Sequence, residues 1–312
     1  MIYLMLFAGL ALLLISGEFL VRGAVALAAH FRLSKLVIAL TVVSLGTSAP
    51  ELVVSVDAAL SGYAGISLGN VVGSNISNIS LVLAIAIIIT PFFVNTRSLL
   101  RNWIIMMGLS LLLLVMLSDL QLSRPEGIIL LVLLVSFIYF TLRTSGKEGK
   151  NGISDPPVVR IKLTAAVIMV ILSCLGLVAG ADLLVKGASE IARIMGLSDR
   201  IISVSVIALG TSLPELATSA VAAVRKENDI SIGNIIGSNI FNILAILGVS
   251  SLITPFSLDD PGFFFDLAWM CGISLILFIL MLPLRGTVLS RWKGLLLAVL
   301  YLTYVFIVFF VK

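Results

Sequence analysis

Histidine and cysteine are nearly absent from these 312 residues, which hold one His and two Cys. His30 stands in a basic stretch beside Arg32, where a solvated or interfacial ring is expected, and Cys174 and Cys271 lie singly inside apolar segments. This excludes a disulfide framework or a C-x-x-C metal site and leaves the cysteines as packing residues. It also leaves no imidazole set for a soft transition metal or a metal-dependent hydrolase. Charge is sparse as well: Asp, Glu, Lys and Arg make up 12% of the chain, against about a quarter in soluble domains. The net charge of +4 is dispersed between apolar runs and forms no basic face, so no nucleic-acid partner is expected. Hydrophilic sequence of any length is confined to Arg143 to Lys162, which includes Gly146, Gly149, Gly152, Pro156 and Pro157. It reads as a flexible linker too short for a regulatory domain.

What is abundant is hydrocarbon. Apolar residues are 60% of the chain and the mean hydropathy is +1.21, with unbroken runs of about 18 residues or more, long enough to span a bilayer. A β-barrel would alternate polar and apolar residues over short segments, so the fold class is an all-α polytopic membrane protein. The runs predict ten spans near 3–28, 36–60, 66–89, 101–118, 125–142, 163–192, 201–224, 230–253, 264–283 and 294–311. Met1 to Ile15 lacks a basic n-region and reads as the start of the first span, not as a cleaved signal. Five spans fall in residues 1–142 and five in 163–312, with 143–162 as a cytoplasmic linker. Lys and Arg set the orientation. Fourteen of them, from Arg32 and Lys35 to Arg291 and Lys293, fall in one set of loops, and the opposite side has Arg124, Arg193, Arg200 and Lys312. The basic side is expected in the cytoplasm and both termini outside. With an odd number of spans in each half, the second half then enters from the opposite face, giving two inverted-topology five-helix repeats.

The halves also repeat in sequence. Leu45-Gly46-Thr47-Ser48-Ala49-Pro50-Glu51-Leu52 returns 164 residues later as Leu209-Gly210-Thr211-Ser212-Leu213-Pro214-Glu215-Leu216. At the same offset Gly69-Asn70-Val71-Val72-Gly73-Ser74-Asn75-Ile76-Ser77-Asn78 matches Gly233-Asn234-Ile235-Ile236-Gly237-Ser238-Asn239-Ile240-Phe241-Asn242. Pro50 has no N–H to give the carbonyl of Gly46, so it bends or opens the helix. Glu51 follows the break, with Thr47 and Ser48 four and three residues earlier on its face. Pro214, Glu215, Thr211 and Ser212 repeat the arrangement. Asn70, Ser74 and Asn78, like Asn234, Ser238 and Asn242, recur every fourth residue and form a polar stripe on each helix. Gly69, Gly73, Gly233 and Gly237 allow neighbouring helices to approach closely. A two-fold axis would bring Glu51 and Glu215 together near mid-membrane, where two carboxylates repel unless a cation intervenes. Hydroxyls, amides, freed carbonyls and carboxylates suit a hard cation such as Ca2+, which accepts roughly 6–8 oxygens. Glu18 and Asp182 are intramembrane acids too, but each has a base four residues on, Arg22 and Lys186, and is expected to pair with it.

These motifs resemble those of the cation/Ca2+ exchanger superfamily, whose two repeats carry G-T/S-S-x-P-E and G-N-x-x-G-S-N-x-x-N, and the chain is most similar to prokaryotic sodium/calcium exchangers. The resemblance implies a secondary active antiporter exchanging Na+ for Ca2+ across the cell membrane by alternating access, with ions bound between Glu51 and Glu215. It implies as ligands the side chains of Thr47, Ser48, Glu51, Ser74, Asn78, Thr211, Ser212, Glu215, Ser238 and Asn242, with the main-chain carbonyls of Ser44 and Ala208. It also implies that the first and sixth helices, around Ile2–His30 and Leu163–Met195, slide across the core, and that three Na+ exchange for each Ca2+. Na+ and Ca2+ are cargo; no cofactor and no protein partner beyond the lipid bilayer is expected. Potassium-dependent relatives carry Asp where this chain has Asn242, which argues against potassium coupling. The proton-coupled branch has G-N-x-x-E in place of G-T-S-x-P-E. The alternative within transport is a Ca2+/H+ or other cation antiporter. An intramembrane hydrolase lacks a nucleophile with its base, and a passive channel would not need two inverted halves in one chain.

The charge asymmetry gives a first test. Single cysteines placed at Lys150 and at Asp260, in a background without Cys174 and Cys271, are expected to react with an impermeant maleimide from opposite sides of the membrane, Lys150 from the cytoplasmic side. Labelling of both from one side would remove the inverted arrangement.

Overall fold

A computed structural model describes residues 2–93, 96–148, 161–195, 208–257, 262–282 and 288–310. Among these, eight helices are long and apolar enough to cross a membrane, and the bent pair Lys35–Thr47 and Ala49–Leu60 together is long and apolar enough to make a ninth. The eight include Ile2–Phe31, Leu163–Ile194, Arg124–Thr144 and Phe263–Leu280. This is a multi-pass helical membrane protein. The expected span 201–224 begins outside the described residues, and its described part is Ala208–Thr211 followed by Leu213–Val224. The helix expected to stop at residue 142 instead continues to Glu148, so the first six residues read as linker are helical. Residues 149–160, the rest of the linker but for its last two positions, lie outside the described set.

Proline acts as expected on the second span. Lys35–Thr47 and Ala49–Leu60 meet at a bend of 47°, and the break is the single residue Ser48, at φ −83° and ψ 9°. Ser212 takes the same conformation, φ −82° and ψ 1°, before Leu213–Val224. Pro50 and Pro214 thus occupy the first turn of the new helix, where a missing N–H costs nothing. The same end is used in both copies: Gly62 and Lys226 adopt left-handed backbone at φ 80° and 59°. There Tyr63 N–H bonds the Ala58 carbonyl and Glu227 N–H the Ala222 carbonyl, both at 2.8 Å, closing the helix in a Schellman turn.

A feature with no signature in residue type is the π-helical turn. Ala39–Val43, Asn78–Val82 and Asn242–Leu247 are wound in this way. The last two begin at equivalent residues, each directly after an α-helix of equivalent extent, Ala64–Ser77 and Asn228–Phe241. Such turns are rare and concentrate at functional sites.

The chain forms two compact units, each drawing on both sequence repeats. The first comprises residues 1–50 and 137–237. Its frame is the repeat-mate pair Ile2–Phe31 and Leu163–Ile194, which pack antiparallel. A Cβ on Gly9 would lie 2.8 Å from the Gly180 carbonyl and from Leu184 N, while Gly23 faces Val170 and Ala166, and Gly187 faces Leu6. Contacts near the start of one helix therefore meet those near the end of the other. Gly17 seats Leu213–Val224 against the first helix through Ala217 and Val221. Leu20, Val21, Ala24, Ala166, Leu177, Ala222 and Ile230 form the core of this unit.

The second unit comprises residues 51–136 and 238–312. Two short antiparallel pairs join its repeats, Phe92–Phe93 with Val288–Leu289 and Gln121–Leu122 with Phe256–Ser257. Trp103 stacks on Phe278 at 4.5 Å and donates its indole N–H to the Ser274 carbonyl at 2.8 Å. The spans that carry the polar stripes are the most enclosed of the molecule: Gly65–Ile89 is 72% and Asn228–Ile253 83% buried, against 17–39% for the other six long helices. The apolar side chains that remain exposed, such as Phe7, Leu14, Val132 and Leu302, line the helices in the manner of a lipid-facing surface.

The glycine packing yields a prediction. Gly9→Ala forces a side chain into backbone and should destabilise the protein by about 1–3 kcal/mol. Gly108→Ala, where a Cβ meets nothing within 4 Å, should be neutral or slightly stabilising. Thermal unfolding of the two variants in detergent checks the contrast.

Candidate cation site

In the first unit the polar residues assemble around Asn234. Its amide oxygen accepts from Thr47 Oγ1 at 3.1 Å, its Nδ2 donates to Ser219 Oγ at 3.2 Å, and its main-chain carbonyl accepts from Ser44 Oγ at 3.0 Å. Gly237 makes this approach possible, because a Cβ there would lie 2.9 Å from Leu40 backbone and would strike Ser44 Oγ. Ser44 Oγ also donates to the Ala39 carbonyl at 2.7 Å, five residues back, across the π turn. The Ser44 carbonyl accepts from Ser48 N–H at 3.0 Å and lies 3.4 Å from Thr47 Oγ1. At the break itself, Ser48 Oγ donates to Glu215 Oε1 at 2.9 Å. The first motif of one repeat therefore touches the first motif of the other. Glu215 has 0% exposure, and it lies in the first turn of its helix, where the helix dipole favours negative charge.

In the second unit Glu51 holds the equivalent place in Ala49–Leu60, also at 0% exposure. Asn70 braces this turn, its Nδ2 donating to the Glu51 carbonyl at 3.2 Å and to Ser55 Oγ at 2.9 Å. Ser55 and Ser219 are repeat mates, so each stripe asparagine holds the same serine. Four further asparagines form a closed network. Asn78 Nδ2 donates to Asn239 Oδ1 at 3.1 Å and Asn242 Nδ2 to Asn75 Oδ1 at 3.0 Å. The amides of Asn75 and Asn239 donate to each other's main-chain carbonyls at 3.3 and 3.2 Å. All four are buried, and Oδ1 of both Asn78 and Asn242 has no hydrogen-bond partner. A buried amide oxygen in that state is a waiting electron-pair donor.

The same order of parts is found in known proteins. The family model for sodium/calcium exchanger protein matches residues 1–143 and 165–310, nearly the whole chain. The chain belongs to the sodium/calcium exchanger family. Among members of similar length it is 35% identical to the putative antiporter CaxA of Alkalimonas amylolytica, over 96% of each chain. It is 31% identical to the sodium/calcium exchanger MaX1 of Methanosarcina acetivorans, over 99% of each. Its fold matches that of the sodium-calcium exchanger NCX_Mj soaked with 2.5 mM Na+ and 0.1 mM Ca2+, with a TM-score of 0.82 and 32% identity over 96% of both chains.

For this exchanger-family chain, the expected site residues distribute as follows. Ser44, Thr47, Ser48, Thr211, Ser212 and Glu215 fall in the first unit, Glu51, Ser74, Asn78, Ser238 and Asn242 in the second, and each is at most 8% exposed. Ser212 Oγ is buried with no hydrogen-bond partner. Ala208 opens the helix Ala208–Thr211, and the residues before it are outside the described set. The acid-base pairs form as the spacing predicts, Glu18 with Arg22 and Asp182 with Lys186 at 2.7 Å. Glu18 additionally binds Arg225, a partner 207 residues away that no local spacing reveals. His30 is half-buried, with Nε2 2.8 Å from the Ile161 carbonyl. Asp57 is exposed. Two residues that the stripe reading passed over are Asn75 and Asn239. The signal for them lay inside the repeated motif, whose asparagine after Gly-Ser recurs in both copies.

Asn234 bonds to two side chains, so Asn234→Ala leaves Thr47 and Ser219 short of a partner each. A loss of about 2–6 kcal/mol follows at roughly 1–3 kcal/mol for each of these two buried hydroxyls. Thermal unfolding in detergent measures it, with Asn234→Ser expected to recover part of the loss.

Proposed function

We propose that this protein is a secondary active antiporter that exchanges Na+ for Ca2+ by alternating access. The observation that carries the reading is a pair of carboxylates, Glu51 and Glu215, each fully buried in an apolar helix at the first turn after a helix break, in repeat-equivalent positions. An acid so placed is costly in a membrane and marks an ion site. Family membership and the names of the relatives support the choice of cations. Together the two glutamates supply −2, which one Ca2+ or two Na+ balance, and three Na+ would leave the site at +1. The hard neutral oxygens needed to complete coordination are those of Thr47, Ser48, Ser74, Asn78, Thr211, Ser212, Ser238 and Asn242 with the carbonyls of Ser44 and Ala208. The reading that both glutamates serve one central site is supported by the sequence duplication and the inverted topology that the charge asymmetry predicts. The same charge asymmetry supports a cell-membrane protein with both termini outside.

The family model and the matched structure are those of sodium/calcium exchangers. Two inverted halves suit alternation between states open to opposite sides, which a passive pore does not need. The test is 45Ca2+ uptake into proteoliposomes loaded in turn with Na+, K+ or acid. Uptake is expected only against Na+. Acid-driven uptake would indicate H+ coupling, and uptake without any opposing gradient would indicate a channel. In the same assay Glu51→Gln and Glu215→Gln should each abolish transport, since each removes half the balancing charge and leaves a weaker amide oxygen. Asn78→Ala and Asn242→Ala should reduce transport less. A glutamine variant with the wild-type rate would refute the site.

A further inference from the structure

An asparagine is useful to a cation through one end only. Its oxygen can ligate, whereas its NH2 repels, and nothing in the residue itself decides which end is presented. The decision here is made one layer back. The Asn75 amide faces the main-chain carbonyl of Asn239 at 3.3 Å and the thioether of Met270 at 3.7 Å. The Asn239 amide faces the carbonyl of Asn75 at 3.2 Å and Met106 Sδ at 3.6 Å. Carbonyl oxygen and thioether sulfur accept and cannot donate, and a backbone carbonyl in a helix cannot turn over. The NH2 groups of Asn75 and Asn239 are therefore fixed toward these acceptors. Their Oδ1 atoms point the other way, to Nδ2 of Asn242 and Asn78. That turns the NH2 ends of Asn242 and Asn78 toward these oxygens and leaves their own buried oxygens without a protein partner.

We propose that Asn75 and Asn239 are positioning residues, which lock the amides of Asn242 and Asn78 so that oxygen and not NH2 is available to the transported cation. Both locked residues open a π-helical turn, the same device in each repeat. Neither Asn75 nor Asn239 is assigned as a ligand, because the Oδ1 of each is turned to the neighbouring amide. The inference rests on the proposed exchange function, and it assigns a specificity role to two residues outside the ligand set.

If the lock is lost, the amide of Asn242 samples both orientations and only one binds. Apparent affinity falls by the competent fraction, while the rate at saturating ion is little changed. The experiment is Na+-driven 45Ca2+ uptake by the full-length protein in proteoliposomes over a range of Ca2+. Variants are Asn75→Ala, Asn242→Ala and their double, with Asn239→Ala, Asn78→Ala and their double as the mirror set. Asn75→Ala is expected to raise KM for Ca2+ at least about twofold, the factor for equal sampling of two orientations, with kcat unchanged. In the Asn242→Ala background it should add nothing, because there is no amide left to orient. Effects that multiply would overturn the inference, since a residue acting through general stability would burden both backgrounds alike. An unchanged KM in Asn75→Ala and Asn239→Ala would overturn it too. So would failure of both single variants to purify as folded protein, which would make the network structural. Absence of Na+-driven uptake by the wild type would refute the function itself and is read separately from all of these.

Discussion

A polar group inside a bilayer has no water to fall back on, so each donor and acceptor must be met by the protein or by a bound ion. The two buried units work out that constraint in detail. Around Asn234 it is met in full by the protein, with the amide shared among Thr47, Ser219 and, through the carbonyl, Ser44. In the four-asparagine network every side-chain amide nitrogen and oxygen has a partner except the oxygens of Asn78 and Asn242. With a buried oxygen on Asn78 and another on Asn242 that no protein group meets, this network is a polar core that the protein does not close by itself.

The helix breaks supply the complementary part. Ser48 and Ser212 each interrupt a helix for one residue, and the chain restarts with Pro and Glu in its first turn. Restarting places a carboxylate where helix N–H groups point, so charge is tolerated in a span that would otherwise exclude it. The contact from Ser48 to Glu215 shows that each break is not an isolated kink: a residue at one break donates to the acid that follows the other. Small residues make these approaches possible, Gly237 against Leu40 and Gly9 against Gly180.

Much of this was legible in the sequence because it rests on composition and on covalent chemistry. Hydrophobic runs give the described long helices to within a few residues, proline gives the break, and duplication gives the repeat equivalence of Glu51 with Glu215 and of Glu18 with Asp182. What stayed hidden depends on long-range partners or on hydrogen-bond register. The π turns have no preferred residue. Arg225 reaches Glu18 across 207 positions. Asn75 and Asn239 sit one residue past Ser74 and Ser238, about 100° around the helix from the stripe, so a pattern that follows one face discounts them. The continuation of a helix through Arg143 to Glu148 was masked by glycine and charge, which weaken helix propensity without forbidding it.

The two short strand pairs carry a consequence for biosynthesis. Each ties a segment of the first repeat to one of the second, Phe92 to Leu289 and Leu122 to Phe256. The unit formed by residues 1–50 and 137–237 has all of its chain once residue 237 has left the ribosome. The other unit must hold Phe92 and Leu122 unpaired until Phe256 and then Leu289 are made. Its early helices therefore wait in the membrane for partners more than a hundred residues downstream, so a ribosome that stalls before Leu289 leaves a nascent chain with one unit whole and the other unclosed.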